Sequence, residues 1–358
     1  MRLSSVEVIP YALPFKEPYV TARGVLLRRE MVLLRVRDED GVGGLGEAVP
    51  LALRGGVGLR DVVRELEAWA EHGEAQALSA PARCAVGTAL MDLQGRRIGT
   101  AAGEGERDET VECNATLVAG APAEVASAAE RWAQAGFTTF KLKLGAESAR
   151  NHLEDDFSRT RRSGDVAQVR VVREALGSEM RIRVDANEAW NLETAKATLA
   201  ELEPLGIELA EQPVEGLEAM AELAASTSIP LAADESVASL DEAEEAAALG
   251  ACAYTGIKLS KVGGPEAALA IADVLPAYVT SALDGPVGIA AAAQVALSLA
   301  ETGHPERLHL AHGLATQRLF ASTIASVECE IRNGLLHLPP GPGLGIELDE
   351  EALQAHRI

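Results

Sequence analysis

From residue 111 onward, apolar and polar positions settle into a repeating alternation. Short β-branched or apolar runs are each followed by an Ala-, Glu- and Leu-rich stretch with helical spacing. The series runs VECNATL then 122–135, TTFKLKL then 165–176, RIRVDAN then 191–202, IELAEQP then 216–225, PLAADES then 240–248, AYTGIKL then 264–275, YVTSALD then 286–301, and RLHLAHG then a short tail. Eight such alternations predict an α/β fold, a parallel (β/α)8-type barrel. Residues 1–110 are patterned differently. LSSVEVIPYAL, EMVLLRVRDED and GGLGEAVPL read as three strands, the last two joined by a turn at Asp38–Gly44, with helical patterns at about 60–73 and 83–97. Three units are therefore expected: an N-terminal α+β domain (1–110), a barrel (111–323), and a C-terminal segment (324–358) whose strands and Pro/Gly turns return toward the first domain. The Gly- and charge-rich stretch 99–110 is the expected linker.

FKLKLG, residues 140–145, poses a sharper question. Phe140, Leu142 and Leu144 alternate with Lys141 and Lys143, so one face of the strand is apolar and the other carries two ammonium groups. On a half-solvated strand the lysines would meet water. In a parallel barrel they point at the axis, where two buried cations need anionic partners.

The polar residues that end the runs supply candidates. Asp185 to Glu211 is 26 residues, Glu211 to Asp234 is 23, Asp234 to Lys258 is 24 and Lys258 to Asp284 is 26, each about one strand–helix unit. Asp185, Glu211 and Asp234 thus end three consecutive strands and are expected to converge at the barrel mouth. Three anions there repel one another unless a cation sits between them. All-oxygen ligands without His or Cys point to Mg²⁺ rather than Zn²⁺. Lys141 and Lys143 precede this set and Lys258 follows it. A partly desolvated lysine beside a divalent cation has a lowered pKa and becomes a general base at neutral pH. One unit departs from the rhythm, since Lys143 to Asp185 spans 42 residues. The excess, 147–165, is highly charged and reads as a solvated insertion, or as a flap or oligomer contact on the face where barrel sites are built.

Composition narrows the partners. The net charge is −22, which disfavours binding to nucleic acid. No apolar run reaches the roughly 18–20 residues of a membrane helix. The opening MRLSSVEVIPYALPF lacks a signal-type apolar core, so a cytoplasmic location is expected. Cys84, Cys113, Cys252 and Cys329 are scattered and read as reduced, mostly buried thiols.

The ordered set KLK, DAN, EQP, ADES and KLSKVGG, with the Gly-rich C-terminal segment, resembles the enolase superfamily in its muconate-lactonizing-enzyme-like subgroup, over nearly the full length. The resemblance implies that the N-terminal domain caps the barrel. It implies Mg²⁺, with Mn²⁺ as a substitute, on Asp185, Glu211 and Asp234, with Asn187 and Glu235 orienting the groups around it. Lys143 and Lys258 become the acid/base pair, with Lys141 beside them, and Lys261 is expected beyond the strand in a loop. The chemistry implied is removal of a proton α to the carboxylate of a small-molecule substrate, giving an enediolate. TSALDGPVGIAAA and HGLAT resemble the strand-seven and strand-eight ends of o-succinylbenzoate synthases, which dehydrate a cyclohexadiene carboxylate in menaquinone biosynthesis. HGLAT has no carboxylate of the kind dipeptide epimerases use there. Ser281, Asp284, Gly285 and Gly288 are then candidates for substrate contact, the backbone N–H groups at this helix start receiving a second carboxylate. Capping loops around Tyr19–Arg23 and Leu51–Gly56 would add Arg54 or Arg23. The N-terminal half resembles generic members, so N-acylamino acid racemase, muconate cycloisomerase and dipeptide epimerase stay open. So do a homo-oligomer and, in another class, a non-catalytic metal-stabilised scaffold.

Overall fold

The computed structural model describes residues 2–21, 24–52, 55–73, 78–99, 110–118, 120–145, 156–301 and 310–358. An antiparallel sheet of order β1-β2-β3 opens the chain, from β1 (Leu3–Thr21), β2 (Gly24–Asp38) and β3 (Gly43–Ala48). Asp38 shapes the expected β2–β3 turn, its Oδ1 accepting from Asp40 N at 3.0 Å and Val42 N at 2.9 Å. Helices α1 (Leu59–His72) and α2 (Ala80–Ile98) cover one face of the sheet. Val32, Leu34 and Val36 pack there against Leu66, Trp69 and Leu93, while Met31 and Leu33 join the barrel core on the other face. Strand periodicity thus buries both faces of β2 over residues 31–34.

The barrel begins after β4 (Thr110–Glu112) and runs β5 (Ala115–Leu117), α3 (Pro122–Gln134), β6 (Thr139–Lys143), α4 (Asp156–Leu176), β7 (Arg181–Asp185), α5 (Leu192–Leu202), β8 (Ile207–Glu211), α6 (Leu217–Ala224), β9 (Leu231–Ala233), α7 (Leu240–Leu249), β10 (Tyr254–Ile257), α8 (Leu259–Val262), α9 (Pro265–Val274), β11 (Ala277–Val279) and α10 (Pro286–Glu301). Strands β5 to β11 form one parallel sheet in sequential order. At the eighth position the described residues make only isolated bridges, His312 to Cys113 and Gly313 to Thr280. Asn114 N donates to His312 O at 2.9 Å and Gly313 N to Val279 O at 2.8 Å, which closes the ring. Residues 307–309 of the expected strand lie outside the described residues. VECNATL, expected as one strand, is two, because β4 leaves the barrel to pair with a C-terminal strand.

Residues 156–165, expected as an insertion, are the first part of α4; residues 147–155 lie outside the described residues. Val166, Val169 and Val172 anchor that helix at three-residue spacing. Beyond the barrel come β12 (Ala325–Val327), β13 (Glu330–Arg332), β14 (Leu335–His337), β15 (Glu347–Leu348) and α11 (Glu350–His356). Strand β14 pairs with β4, and Tyr11 of β1 bridges to Arg357. All four cysteines are free, and Cys84, Cys113 and Cys329 are buried.

Candidate active site

Strand register brings the candidate residues into one layer. Lys143 on β6 lies opposite Asp185 on β7, and Asp185 opposite Glu211 on β8. Phe140, Leu142 and Leu144 are buried in the core on the other face of β6. The lysine face of FKLKLG therefore lines the barrel interior, and its partners are the acids. Lys141 Nζ donates to both oxygens of Glu211 at 3.0 Å and lies 3.4 Å from Asp185 Oδ2. Lys143 Nζ donates to Asp185 Oδ2 and, at 3.0 Å, to Asn187 Oδ1. Asn187 Nδ2 passes the chain on to Glu235 Oε1 at 3.0 Å. Across the mouth, Lys258 Nζ donates to Asp234 Oδ2.

One expectation needs correction here. Lys261 is not in a loop. It lies in the single turn α8, and its Nζ reaches Asp234 Oδ1 at 2.9 Å and the Asp234 carbonyl. Asp185 and Glu211 end β7 and β8, and Asp234 follows just after β9. Each is at most 1% exposed, but among the described residues no three acid, His or Cys side chains are gathered as they would be around an ion. Lysine ammonium groups stand beside each acid instead.

The pairing with the acids also acts on the Lys143 pKa. Burial acts to lower it, but Asp185 and Glu211 outweigh burial and hold it above the ordinary lysine range. Tyr19, at the outer end of β1, acts in the same direction. Asp185 shifts in the complementary sense. Burial would raise it, yet Lys143 and Lys141 hold it below the usual carboxylate range.

The loops leaving the strands are strained and tightly stitched. Asn187, Glu188 and Gln212 have φ of 46°, 65° and 37°, in the left-handed region, which costs on the order of 1–3 kcal/mol each. The Gln212 side chain offsets this. Its Oε1 accepts from Asp234 N at 2.9 Å, and its Nε2 donates to Val214 O at 2.9 Å and Ser236 Oγ at 2.7 Å. Gln212 stands in the EQP motif, where only the glutamate drew attention.

Two further residues were missed. The Tyr278 hydroxyl on β11 donates to Glu211 Oε2 at 2.6 Å. Its ring lies over Gly256, where an added methyl group would fall 3.3 Å from the hydroxyl, and the Arg183 guanidinium sits 5.1 Å from the ring centroid. Asp165 on α4 accepts from Gly145 N at 3.0 Å and Trp190 Nε1 at 3.1 Å, tying the loop after β6 to the loop after β7. Its signal in the sequence is a carboxylate set into the Val166–Val169–Val172 stripe.

At the expected second carboxylate site the backbone amides already have protein partners. Gly285 N donates to Glu47 Oε1 at 2.7 Å, and Gly288 N also bonds Glu47. These amides are engaged by the N-terminal domain rather than turned to a substrate. Ser281 Oγ donates to Asp284 Oδ2 at 2.6 Å and accepts from Asp284 N at 2.9 Å, so the two close on each other. Arg54 and Arg23 lie outside the described residues.

The family model described as enolase C-terminal domain-like matches residues 124–352. The chain belongs to the enolase superfamily. Its relatives place it in the muconate-lactonizing-enzyme-like subgroup of that superfamily. It is 28% identical to muconate cycloisomerase 1 of Pseudomonas putida over 97% of this chain and 96% of that one. It is 35% identical to the o-succinylbenzoate synthase of Thermobifida fusca over 60% of this chain and 62% of that one. Muconate lactonizing enzyme from Pseudomonas fluorescens, complexed with muconolactone, superposes with a TM-score of 0.86 at 28% identity, covering 100% and 99% of the two chains. The dipeptide epimerase from Enterococcus faecalis, complexed with Mg and the dipeptide L-Leu-L-Tyr, gives 0.85 at 25%, covering 97% and 100%. The enolase-superfamily relatives are isomerases, epimerases and synthases, and this chain is an enzyme of that lyase-or-isomerase kind rather than a scaffold. Among the described residues no helix is long and apolar enough to cross a membrane.

Proposed function

We propose that this enzyme removes the proton α to a carboxylate of a small-molecule substrate, and that its overall reaction is the dehydration carried out by o-succinylbenzoate synthases. The observation that carries the reading is the placement of Lys143 on β6 and Lys258 beyond β10, with the buried Asp185 and Glu211 ending β7 and β8 and the buried Asp234 just after β9.

The donor set fits a hard divalent ion. Three buried carboxylates, all oxygen, need positive charge beside them, and lysines supply it here. Asp185, Glu211 and Asp234 would hold Mg²⁺, which when bound would polarise the substrate carboxylate and favour a neutral Lys143. Asn187 would keep hold of Lys143 and of Glu235 while the charges rearrange. Lys143 would take the α-proton as the C–H bond breaks. It would then return that proton to the hydroxyl group as the C–O bond breaks, so that water leaves. Lys258, on the other side, would stay a cation against the negative charge developing on the carboxylate.

Dehydration is preferred to epimerization because HGLAT offers no carboxylate for a substrate ammonium group, and because the Thermobifida fusca synthase is similar at 35% identity. The test is purified protein with Mg²⁺ and the succinyl-bearing cyclohexadiene carboxylate, followed by loss of substrate and appearance of the aromatic product. N-succinyl amino acids and dipeptides in D₂O, and muconolactone, run in parallel. Turnover confined to one of these parallel substrates overturns dehydration. Turnover of an amino-acid substrate without deuterium at the α-carbon overturns α-proton removal.

A further inference from the structure

The motif DGPVG, 284–288, was left without a task once its amides proved to be engaged by Glu47. Helix α10 begins there. Ile289 N donates to Gly285 O at 3.0 Å, which makes Gly285 the residue that caps the helix and Pro286 the first residue inside it. Proline is favoured at that position because it has no N–H to satisfy. Gly285, however, has no side chain with which to cap. The N–H groups of Gly285 and Gly288 are the pair that a capping box satisfies from within one helix. Here a single carboxylate from another domain accepts from both.

That carboxylate is itself fixed. Glu47 is 1% exposed, and the Tyr11 hydroxyl on β1 donates to its Oε2 at 2.7 Å. The fit leaves no slack. A methyl group on Gly285 would fall 2.3 Å from the Tyr11 hydroxyl and 2.6 Å from Glu47 Oε2, and one on Gly288 would fall 2.6 Å from Glu47 Oε1. Beside this cap, Arg29 on β2 donates to Pro50 O at 2.9 Å and Ala282 O at 3.2 Å. Pro50 leads into the expected capping loop, and Ala282 lies in the corner that leaves β11. Leu283, in the same corner, has φ of 67°.

We propose that Glu47 is a positioning residue, capping α10 from the N-terminal domain and so fixing the β11–α10 corner, residues 280–285, at the mouth of the barrel. The glycines of DGPVG are the seat for that carboxylate. Pro50 and the barrel corner are then registered to each other through β3, β2 and Arg29 rather than through substrate. This assignment does not depend on which substrate is turned over.

Hydrogen exchange of the full chain, read by mass spectrometry without substrate, tests it. Loss of a helix cap is worth about 1 kcal/mol, so Glu47→Ala should speed exchange in residues 280–290 by about five- to tenfold. Glu47→Gln keeps a carbonyl oxygen for the two N–H groups and should stay within about threefold of wild type. Gly285→Ala tests the same contact from the barrel side and covers the case in which Glu47→Ala does not fold. It should speed the same amides together with those around Tyr11 and Glu47. In a Tyr11→Phe/Glu47→Ala background, where the contact it would crowd is gone, Gly285→Ala should have a smaller effect than in the wild type. Unchanged exchange at 280–290, acceleration spread evenly over the chain, or a Gln variant no better than Ala overturns the proposal.

Discussion

The barrel mouth and the seam between the domains both bury carboxylates, and they treat them in opposite ways. At the mouth, Asp185, Glu211 and Asp234 face Lys141, Lys143, Lys258 and Lys261, and Asp185 is held below the usual range. At the seam, Glu47 and Asp284 face Tyr11, Ser281, backbone amides and Arg29, and burial raises both. Around Glu47 the donors are neutral, and they satisfy its lone pairs without repaying the loss of water around its charge; at Asp284 the Arg29 guanidinium opposes burial without overcoming it. At the mouth the lysine cations repay that loss. The mouth is thus built to keep charge, and the seam to hold shape.

The largest difference between the two regions is expected in catalysis. Lys143→Ala should lower turnover by about 10²–10⁴-fold. Lys258→Arg, which keeps the charge, should hurt less than Lys143→Arg. If a seam variant such as Glu47→Gln lost as much turnover as Lys143→Ala, the division between chemistry and shape would fail.

Stability against pH comes next. The folded chain holds a proton on Glu47 up to about pH 7, against an ordinary value of 4.5. Its contribution to stability therefore falls as pH rises from about 4.5 to 7 and is flat above, by on the order of 3 kcal/mol. Asp185 acts the other way, with a contribution present above its ordinary value and lost as pH falls below it. The melting temperature of Glu47→Gln minus that of wild type should grow between pH 4.5 and 7 and then level off. A difference independent of pH would break the contrast.

Smaller effects sharpen it. Tyr278→Phe removes the donor to Glu211 Oε2 and should weaken Mg²⁺ binding about 10–100-fold by calorimetry, with the fold unchanged. Asp165→Asn leaves one acceptor where Gly145 and Trp190 need two. It should cost about 1–3 kcal/mol in urea unfolding.

The parts legible in the sequence were those with local signals. Alternation disclosed the strands from β5 to β11, and helical spacing their helices apart from the first part of α4 and the short α8. The regular intervals from Asp185 to Lys258 disclosed which charged residues share the mouth. Reach and partnership were not legible. Lys261 looked too distant because α8 turns it back toward Asp234. Tyr278 looked like one more apolar strand residue, and only Gly256 opposite gives its ring room to reach Glu211. The Glu47 seat joins residues 238 positions apart, and neither GEA nor DGPVG shows by itself which of the two the other serves.

The pairing of β1 with the C-terminal segment has a consequence for the order of assembly. Ala321 N donates to Pro14 O at 2.8 Å and Ile358 N to Pro10 O at 3.2 Å, while β14 supplies the partner of β4. One edge of a 19-residue strand, and the strand that leads into the barrel, therefore wait for partners encoded far downstream. At about 5–20 residues per second that wait on the ribosome lasts tens of seconds. Through it the nascent chain carries an open strand edge, the kind of surface to which a second nascent chain can add. The step most exposed to misassembly thus falls during translation, before the barrel mouth exists.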